Sequence, residues 1–330
     1  MRGVLTVLGV LLALLIGAAG LGWWWLNAPM PLGRPVVDLA IEPGTSARGV
    51  TQAIVDAGVH TSAPALYTWF RLSGQARQIK AGSYELTGEL TPRGLLAKLV
   101  RGDEALRAVT LVEGWNTRQV LGALRRSEHL MPDTQALTPD VIMQKLNRAG
   151  QAFEGSFYPD TYTFAKGSSD LALLARAMRA MDAHLAAAWQ ARASDLPLKT
   201  PAELLTLASI VEKETARASD RTLIASVFVN RLRLGMPLQT DPTVIYGMGE
   251  AFDGNLRRRD LQTDTPWNTY TRGGLPPTPI AMPGKAALLA AAQPANSRAL
   301  YFVARGDGSS EFSDNLDAHN RAVNKFQRGQ

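Results

Sequence analysis

Two glutamates at the end of an apolar run are the residues of this 330-residue chain best placed for acid–base chemistry. Thr200-Pro201-Ala202-Glu203 has the form of a helix start, with Thr at the N-cap, Pro at the first helical position and Glu at N3. Leu204, Leu205, Leu207, Ala208, Ile210 and Val211 follow, then Glu212, Lys213 and Glu214. On a helical wheel Glu214 falls about 20° from Leu207, about 40° from Ile210 and about 60° from Val211, so it continues the bulky apolar side. Glu212 projects about 160° away, nearer Ala208 and Leu205, so the two carboxylates do not form a pair acting on one bond. Apolar surroundings disfavour the charged form of Glu214 and keep it protonated nearer neutral pH. A general acid facing a glycosidic oxygen needs that state. The spacing alone also fits a plainer alternative, a solvated helix end with Lys213 and Arg217 as charge partners.

Further residues suited to sugar follow. Gln239-Thr240-Asp241-Pro242-Thr243-Val244-Ile245-Tyr246-Gly247, Trp267-Asn268-Thr269-Tyr270 and Gly274 to Ile280 mix amides, hydroxyls and aromatics on stiff Pro/Gly backbone. Aromatic faces stack on sugar C–H surfaces, and amides bond the hydroxyls. Gln239, Thr240, Asp241, Tyr246, Asn268 and Tyr270 are the candidates for such a groove. Ordinary ordered loops would have the same composition.

Composition narrows the setting. Hydrophobic residues are 46% and charged residues 19%, which describes a globular chain and excludes a disordered, collagenous or coiled-coil one. With no cysteine, disulfides, thiolate nucleophiles and cysteine metal sites are excluded. The four histidines lack metal-ligand spacing, so no metal and no cofactor is expected. Lys+Arg minus Asp+Glu is 35 − 29 = +6, a modest excess suited to an acidic polymer or an anionic membrane surface. No nucleic-acid-binding motif accompanies it.

The segments that must position these residues begin with an anchor. Val4–Leu26 carries no charge and, at about 1.5 Å per residue, reaches roughly 35 Å, enough to cross a hydrocarbon core of about 30 Å. Arg2 precedes it and Trp23, Trp24 and Trp25 close it, so a single-pass helix with a cytoplasmic N-terminus is expected. The alternative is a signal peptide cut near Ala18-Ala19-Gly20. Residues 1–3 form the cytoplasmic stub and 27–35 a Pro-rich linker. Residues 36–103 read as a small α+β module, with strands at Val37–Ile41 and Gly82–Leu86. Three helices join them, the last opened by Thr91-Pro92 and closed by Gly102. Residues 104–330 form a larger mixed α+β domain. It starts with a strand over Ala108–Val112 and helices near Gln119–Ser127 and Asp140–Asn147. A structured loop at Glu154–Tyr162 precedes a long helix capped by Ser169, with Leu171, Leu174, Met178, Met181, Leu185 and Trp189 on its core stripe. A second helix after the Glu-Lys-Glu segment runs from about Asp220 to Leu234.

Leu207 to Thr215, Leu238 to Gly247, Asn268-Thr269-Tyr270 and Gly274 to Ile280 together resemble the endolytic murein transglycosylase family (MltG), in order and spacing as well as motif. Glu154 to Tyr162 resembles that family's EG-x-x-x-PDTY segment, and Leu300–Val303 its late strand. The likeness covers nearly the whole chain. It implies an α+β fold with a single transmembrane helix, a LysM-like module and a catalytic domain. It also implies internal cleavage of nascent peptidoglycan strands at the MurNAc–GlcNAc bond, without water, leaving 1,6-anhydro-MurNAc ends and limiting strand elongation. The second Glu of the triplet, Glu214, is then catalytic. The implied location is the bacterial inner membrane with the catalytic domain periplasmic, and wall synthases are candidate partners. Three positions depart from the family: Thr278 stands where Gly is usual, Met282 where Asn is common, and Trp267 where Tyr is common. Two alternatives stay open, a wall glycan hydrolase in which Asp241 activates water and an inactive membrane-anchored peptidoglycan binder.

Overall fold

In a computed structural model, residues 2–215 and 217–328 are described. Met1, the start of the expected stub, lies outside them. Helix α1 (Arg2–Asn27) carries an apolar segment, Thr6–Asn27, that is long enough to cross a membrane by length and composition. Trp23 and Trp24 are each 65% exposed, whereas Trp25 packs on the core of the module that follows. Residues 27–35, the Pro-rich linker, are strapped to that module. Met30 N donates to Leu90 O and Gly33 N to Gly58 O, each at 2.8 Å, and His60 N donates to Pro31 O at 2.8 Å. The Met30 side chain is buried. Proline removes donors from this stretch, but its carbonyls and the remaining amides still find partners.

The chain divides into two compact units, Met1–Arg107 with Thr163–Gly167, and Ala108–Tyr162 with Ser168–Gln330. In the first, β1 (Val36–Ile41), α2 (Ala47–Asp56), α3 (Ala63–Leu72), β2 (Gly82–Thr87) and α4 (Pro92–Arg101) surround one core. β1 and β2 pair antiparallel, with Val36 opposite Thr87 and Ile41 opposite Gly82. Period-two alternation sends Val37, Leu39 and Ile41 inward. They meet Val50 and Ile54 of α2, Leu66 and Phe70 of α3, and Leu95, Leu96 and Leu99 of α4. Ser46, Ser62 and Thr91 each accept a backbone N–H at a helix start.

The next elements are β3 (Leu106–Thr110), α5 (Thr117–Arg126), α6 (Pro139–Lys145), β4 (Thr161–Ala165) and α7 (Asp170–Gln190). β3 and β4 pair as a second two-stranded sheet. The strand expected over Ala108–Val112 starts two residues earlier. Leu111 falls outside it, buried, with its N–H on Asp160 O at 3.0 Å. On α7 the buried stripe is Leu173, Leu174, Ala177, Met178, Met181 and Ala188. Leu171, Leu185 and Trp189 lie at its half-buried margin.

α8 (Pro201–Glu214) is the central helix of the second unit, followed by α9 (Ala218–Arg233), α10 (Asp241–Met248), α11 (Arg258–Gln262), α12 (Lys285–Ala292), β5 (Tyr301–Ala304), β6 (Ser310–Ser313) and α13 (Leu316–Val323). Residues Leu204 to Val211 are all buried, so α8 is enclosed on every side over that length. It shares a core with Ile224, Ala225, Phe228 and Val229 of α9 and with the alanines of α12. Each fully buried leucine is worth about 1.5–3 kcal/mol. The start of α8 departs from the expected capping box by one residue. Thr200 Oγ1 accepts from Glu203 N at 3.2 Å, but Glu203 Oε2 accepts from Lys199 N, one position outside the cap. The stretch from Asp241 to Met248, whose Pro and Gly also fit an ordered loop, is helical. Pro242 stands in its first turn, where no N–H is needed.

Candidate active site

Glu214 is the last residue of α8, and Thr215 after it is extended. The carboxylate therefore leaves a buried helix where the chain opens onto a cleft of about 560 Å³. Gln239, Asp241, Arg231, Tyr270, Tyr301 and His319 line the same cleft. Backbone bonds between two segments assemble this wall. Gln239 N donates to Thr269 O at 3.1 Å, and Thr240 N to Thr269 Oγ1 at 3.1 Å. Thr243 Oγ1 donates to Thr240 O at 2.7 Å and lies 2.9 Å from Thr269 Oγ1. Its one proton is thereby used, so the Thr269 hydroxyl donates to it.

Gln239 has φ 48°, a left-handed conformation costly for a side-chain-bearing residue. The turn it makes brings Thr240 Oγ1 into a very short hydrogen bond, donated to Glu214 Oε1. Next to it, Tyr270 OH donates to Asp241 Oδ1 at 2.6 Å. Burial pushes the Glu214 carboxyl up from 4.5 to about 7; the Thr240 bond opposes this, and the negative charge of Asp241 adds to it. The helix C-terminus, the negative end of the dipole, acts in the same direction as burial. Tyr270 is also pushed up, by burial first and then by Asp241 and Glu214. The site thus holds a carboxylic acid poised to give and take a proton near neutrality.

Glu212 and Lys213 hold the end of α8 in place. Glu212 Oε2 accepts from Gly284 N at 2.9 Å, and Lys213 Nζ donates to Gly114 O at 3.3 Å. Gly114 N in turn donates to Met282 O at 2.8 Å. Further back, Ser209 Oγ accepts from Ile280 N at 3.0 Å. The two glutamates therefore face different surroundings, as the helical wheel predicts. Neither ion-pairs with Lys213 or Arg217 among the described residues, and Arg217 Nε donates instead to Ser219 Oγ.

Of the six predicted groove residues, Gln239, Asp241 and Tyr270 line the cleft with Glu214, and Thr240 touches Glu214 from behind. Asn268 does not reach the groove. It is fully buried, and its Nδ2 donates to Leu261 O at 3.0 Å and Thr263 O at 2.7 Å, while Oδ1 accepts from Tyr270 N at 2.8 Å. It holds Tyr270 in place rather than meeting a ligand. Tyr246 sits on the other side of α10, in a separate cavity, edge-on to Trp267 at 5.4 Å. Two of the three departures from the family pattern form one contact, since Trp267 Nε1 donates to Thr278 Oγ1 at 2.9 Å. A glycine at 278 would leave that indole N–H without this acceptor.

Sequence reasoning missed Arg231, Tyr301 and His319. Arg231 is 7% exposed and donates to Leu300 O at 2.7 Å and Leu238 O at 2.9 Å. Its guanidinium lies 5.1 Å from the Tyr301 ring centroid, and His319 stacks on that ring at 5.1 Å. Burial, with Arg231 adding, pushes the His319 imidazole below its ordinary value. A signal for Arg231 existed. On the helical wheel it falls about 20° from Ile224, on the buried stripe of α9.

Residues 39–325 match the YceG-like family, and the chain belongs to it. Two curated relatives are each named endolytic murein transglycosylase. One, from Bacillus subtilis (strain 168), is 30% identical over 89% of this chain and 85% of its own length. The other, from Streptococcus pneumoniae (strain D39), is 27% identical over 95% of this chain, which spans 63% of that protein. Among solved structures, the yceG-like protein lmo1499 from Listeria monocytogenes matches with a TM-score of 0.52 at 30% identity, covering 87% of this chain and 98% of that one.

Proposed function

We propose that this chain is a membrane-anchored endolytic murein transglycosylase that cuts nascent peptidoglycan strands internally at the MurNAc–GlcNAc bond. The observation that carries the reading is the Glu214 carboxyl, which faces the cleft from the end of α8 and is pushed up to about 7 by burial. Protonated Glu214 donates its proton to the glycosidic oxygen as the C1–O bond breaks. The resulting carboxylate then takes the proton of the muramyl C6 hydroxyl as that oxygen bonds to C1. Glu214 is restored, no water enters, and the product carries a 1,6-anhydro ring. An internal nucleophile is already positioned by the sugar itself, which replaces the second carboxylate of an ordinary glycosidase. Burial holds the proton on Glu214, and the charge of Asp241, held by Tyr270, adds to that effect.

The names of the relatives support the reaction class. Helix α1 supports an anchor in the bacterial inner membrane with the rest of the chain periplasmic. The β–α–α–β order of β1, α2, α3 and β2, closed by antiparallel pairing of β1 and β2 and followed by α4, supports a LysM-like module at 36–103 that binds or spaces the wall polymer. Residues 104–330 are then the catalytic domain. Asp241 in the same cleft favours one second reading, hydrolysis with Asp241 activating water. Full-length chain incubated with glycan strands, with products weighed by mass spectrometry, decides between them. Anhydro ends support the transglycosylase, reducing ends the hydrolase, and uncut strands would reduce the chain to a binder.

A further inference from the structure

A second cavity of about 840 Å³ lies beside the cleft, and the chemistry at Glu214 makes no use of it. Two pairs of consecutive residues divide between the two spaces. Glu214 lines the cleft and Lys213 the cavity; Asp241 lines the cleft and Pro242 the cavity. Consecutive residues face opposite ways there, so the end of α8 and the first turn of α10 form the partition, about one helix, or 10 Å, wide. Extended at about 3.3–3.6 Å per residue, a branch of three or more residues on a polymer in the cleft spans about 10 Å or more, enough to pass such a partition.

The cavity's chemistry differs from that of the cleft. Leu121, Ile245, Phe252 and Trp267 give it apolar walls. Arg118, Arg125 and Lys213 bring three cations. Arg118 meets Glu250 at 3.1 Å, whereas no carboxylate pairs with exposed Arg125 among the described residues. Glu154 also lines it, 5% exposed. Thr117 N and Oγ1 each donate to Glu154 Oε2 at 3.0 Å, and Oε1 is left with no hydrogen bond of standard geometry. Burial pushes this carboxyl up, while hydrogen bonding from Thr117, Tyr246 and Gly155 opposes. Gly155 at φ 79° brings this turn against Pro279, where a Cβ would stand 2.6 Å from the ring.

We propose that this cavity binds the carboxylate-bearing peptide branch of the glycan strand whose sugar backbone occupies the cleft. The inference rests on murein being the substrate. In murein every second sugar carries a short peptide of small aliphatic residues and free carboxylates. The aliphatic parts match the apolar walls, and the carboxylates match Arg125, which no carboxylate pairs among the described residues, beside Arg118 and Lys213. A bare sugar presents neutral hydroxyls and calls for no cations.

The test uses the full-length chain carrying Glu214→Gln, in detergent. It is titrated calorimetrically with muramyl tripeptide and with N-acetylmuramyl amide, whose lactyl carboxylate is blocked. The tripeptide binds at least tenfold more tightly, and Arg125→Ala removes about tenfold of that advantage, the worth of one charge-assisted hydrogen bond. Arg125 is exposed, so its replacement leaves the fold intact. Equal affinity for the two ligands, no binding of either, or no effect of Arg125→Ala overturns the proposal. Binding here needs no turnover, so strand cleavage by the unsubstituted chain judges the reaction separately. In that assay Arg125→Ala raises KM on peptide-bearing strands, holds kcat, and changes neither on strands stripped of peptide.

Discussion

Replacing Glu214 by Gln removes activity and, above neutral pH, stabilises the protein. Gln keeps the shape of the side chain and still accepts from Thr240, but it cannot deliver a proton. General acid–base catalysis is worth about 10²–10⁴-fold, and here one group serves both halves of the reaction, so the loss reaches the top of that range. The stability effect follows from the same carboxyl. Its pKa rises from 4.5 to about 7 on folding, so the folded chain holds this proton more tightly than the unfolded chain does. As pH climbs through that window the unfolded chain gives up its proton first, and stability falls; below the window nothing is lost, and above it the loss is complete. A shift of about 2.5 units corresponds to about 3 kcal/mol at about 1.36 kcal/mol per unit, and partial exposure of Glu214 to solvent brings this to roughly 1–3 kcal/mol. For a unit of this size that is on the order of 3–10 °C in Tm. The assay is thermal unfolding of full-length chain and variant at pH 4 and pH 8, beside release of anhydro-muropeptides. A Tm gain at pH 8 that disappears at pH 4 is expected. An equal difference at both pH values, or near-normal turnover by a folded variant, refutes the reasoning.

The cleavage rate of the unsubstituted chain falls as pH rises through about 7, where Glu214 loses its proton. Asp241→Asn moves that alkaline limb to lower pH, because the charge that helps to hold the proton is gone; a limb that stays or moves up contradicts the assignment. Glu212→Gln costs less than about threefold in rate, since an amide oxygen still accepts from Gly284 N; a dead Glu212→Gln beside an active Glu214→Gln would move the catalytic role two residues back. Asn268→Ala lowers stability by about 2–3 kcal/mol by stranding buried loop carbonyls, and denaturant titration reads it directly. The native chain fractionates with membranes and keeps its N-terminal segment; recovery as a soluble form cut near Gly20 would identify a signal peptide instead.

Helical periodicity made α8 and Glu214 legible, because one wheel carries both the buried stripe and the carboxyl that extends it. It would have exposed Arg231 equally well, had an arginine been accepted as part of a buried face. That acceptance needs the carbonyls of Leu238 and Leu300, which arrive from distant segments. Helix α10 was hidden by its own punctuation, since Pro242 and Gly247 read as loop although proline suits a first turn. Tyr246 and Tyr270 looked equivalent as aromatics near the acid, and only the path of α10 separates them into two cavities. Asn268 looked like a sugar ligand because an amide's partners, ligand or own loop, are decided by tertiary contacts.

The strap at residues 27–35 has a mechanical consequence. A flexible chain of that length would let its cargo wander over roughly 16 Å. Here Met30, Pro31 and Gly33 are pinned by backbone bonds, and Trp25 rests on the module core. With α1 in a bilayer as proposed, the module is mounted on a stiff post, not hung from a tether. Its height and tilt above the lipid are set by the helix itself, and lengthening the post by Gly-Ser insertion would change them abruptly, by breaking the mount, instead of in graded steps.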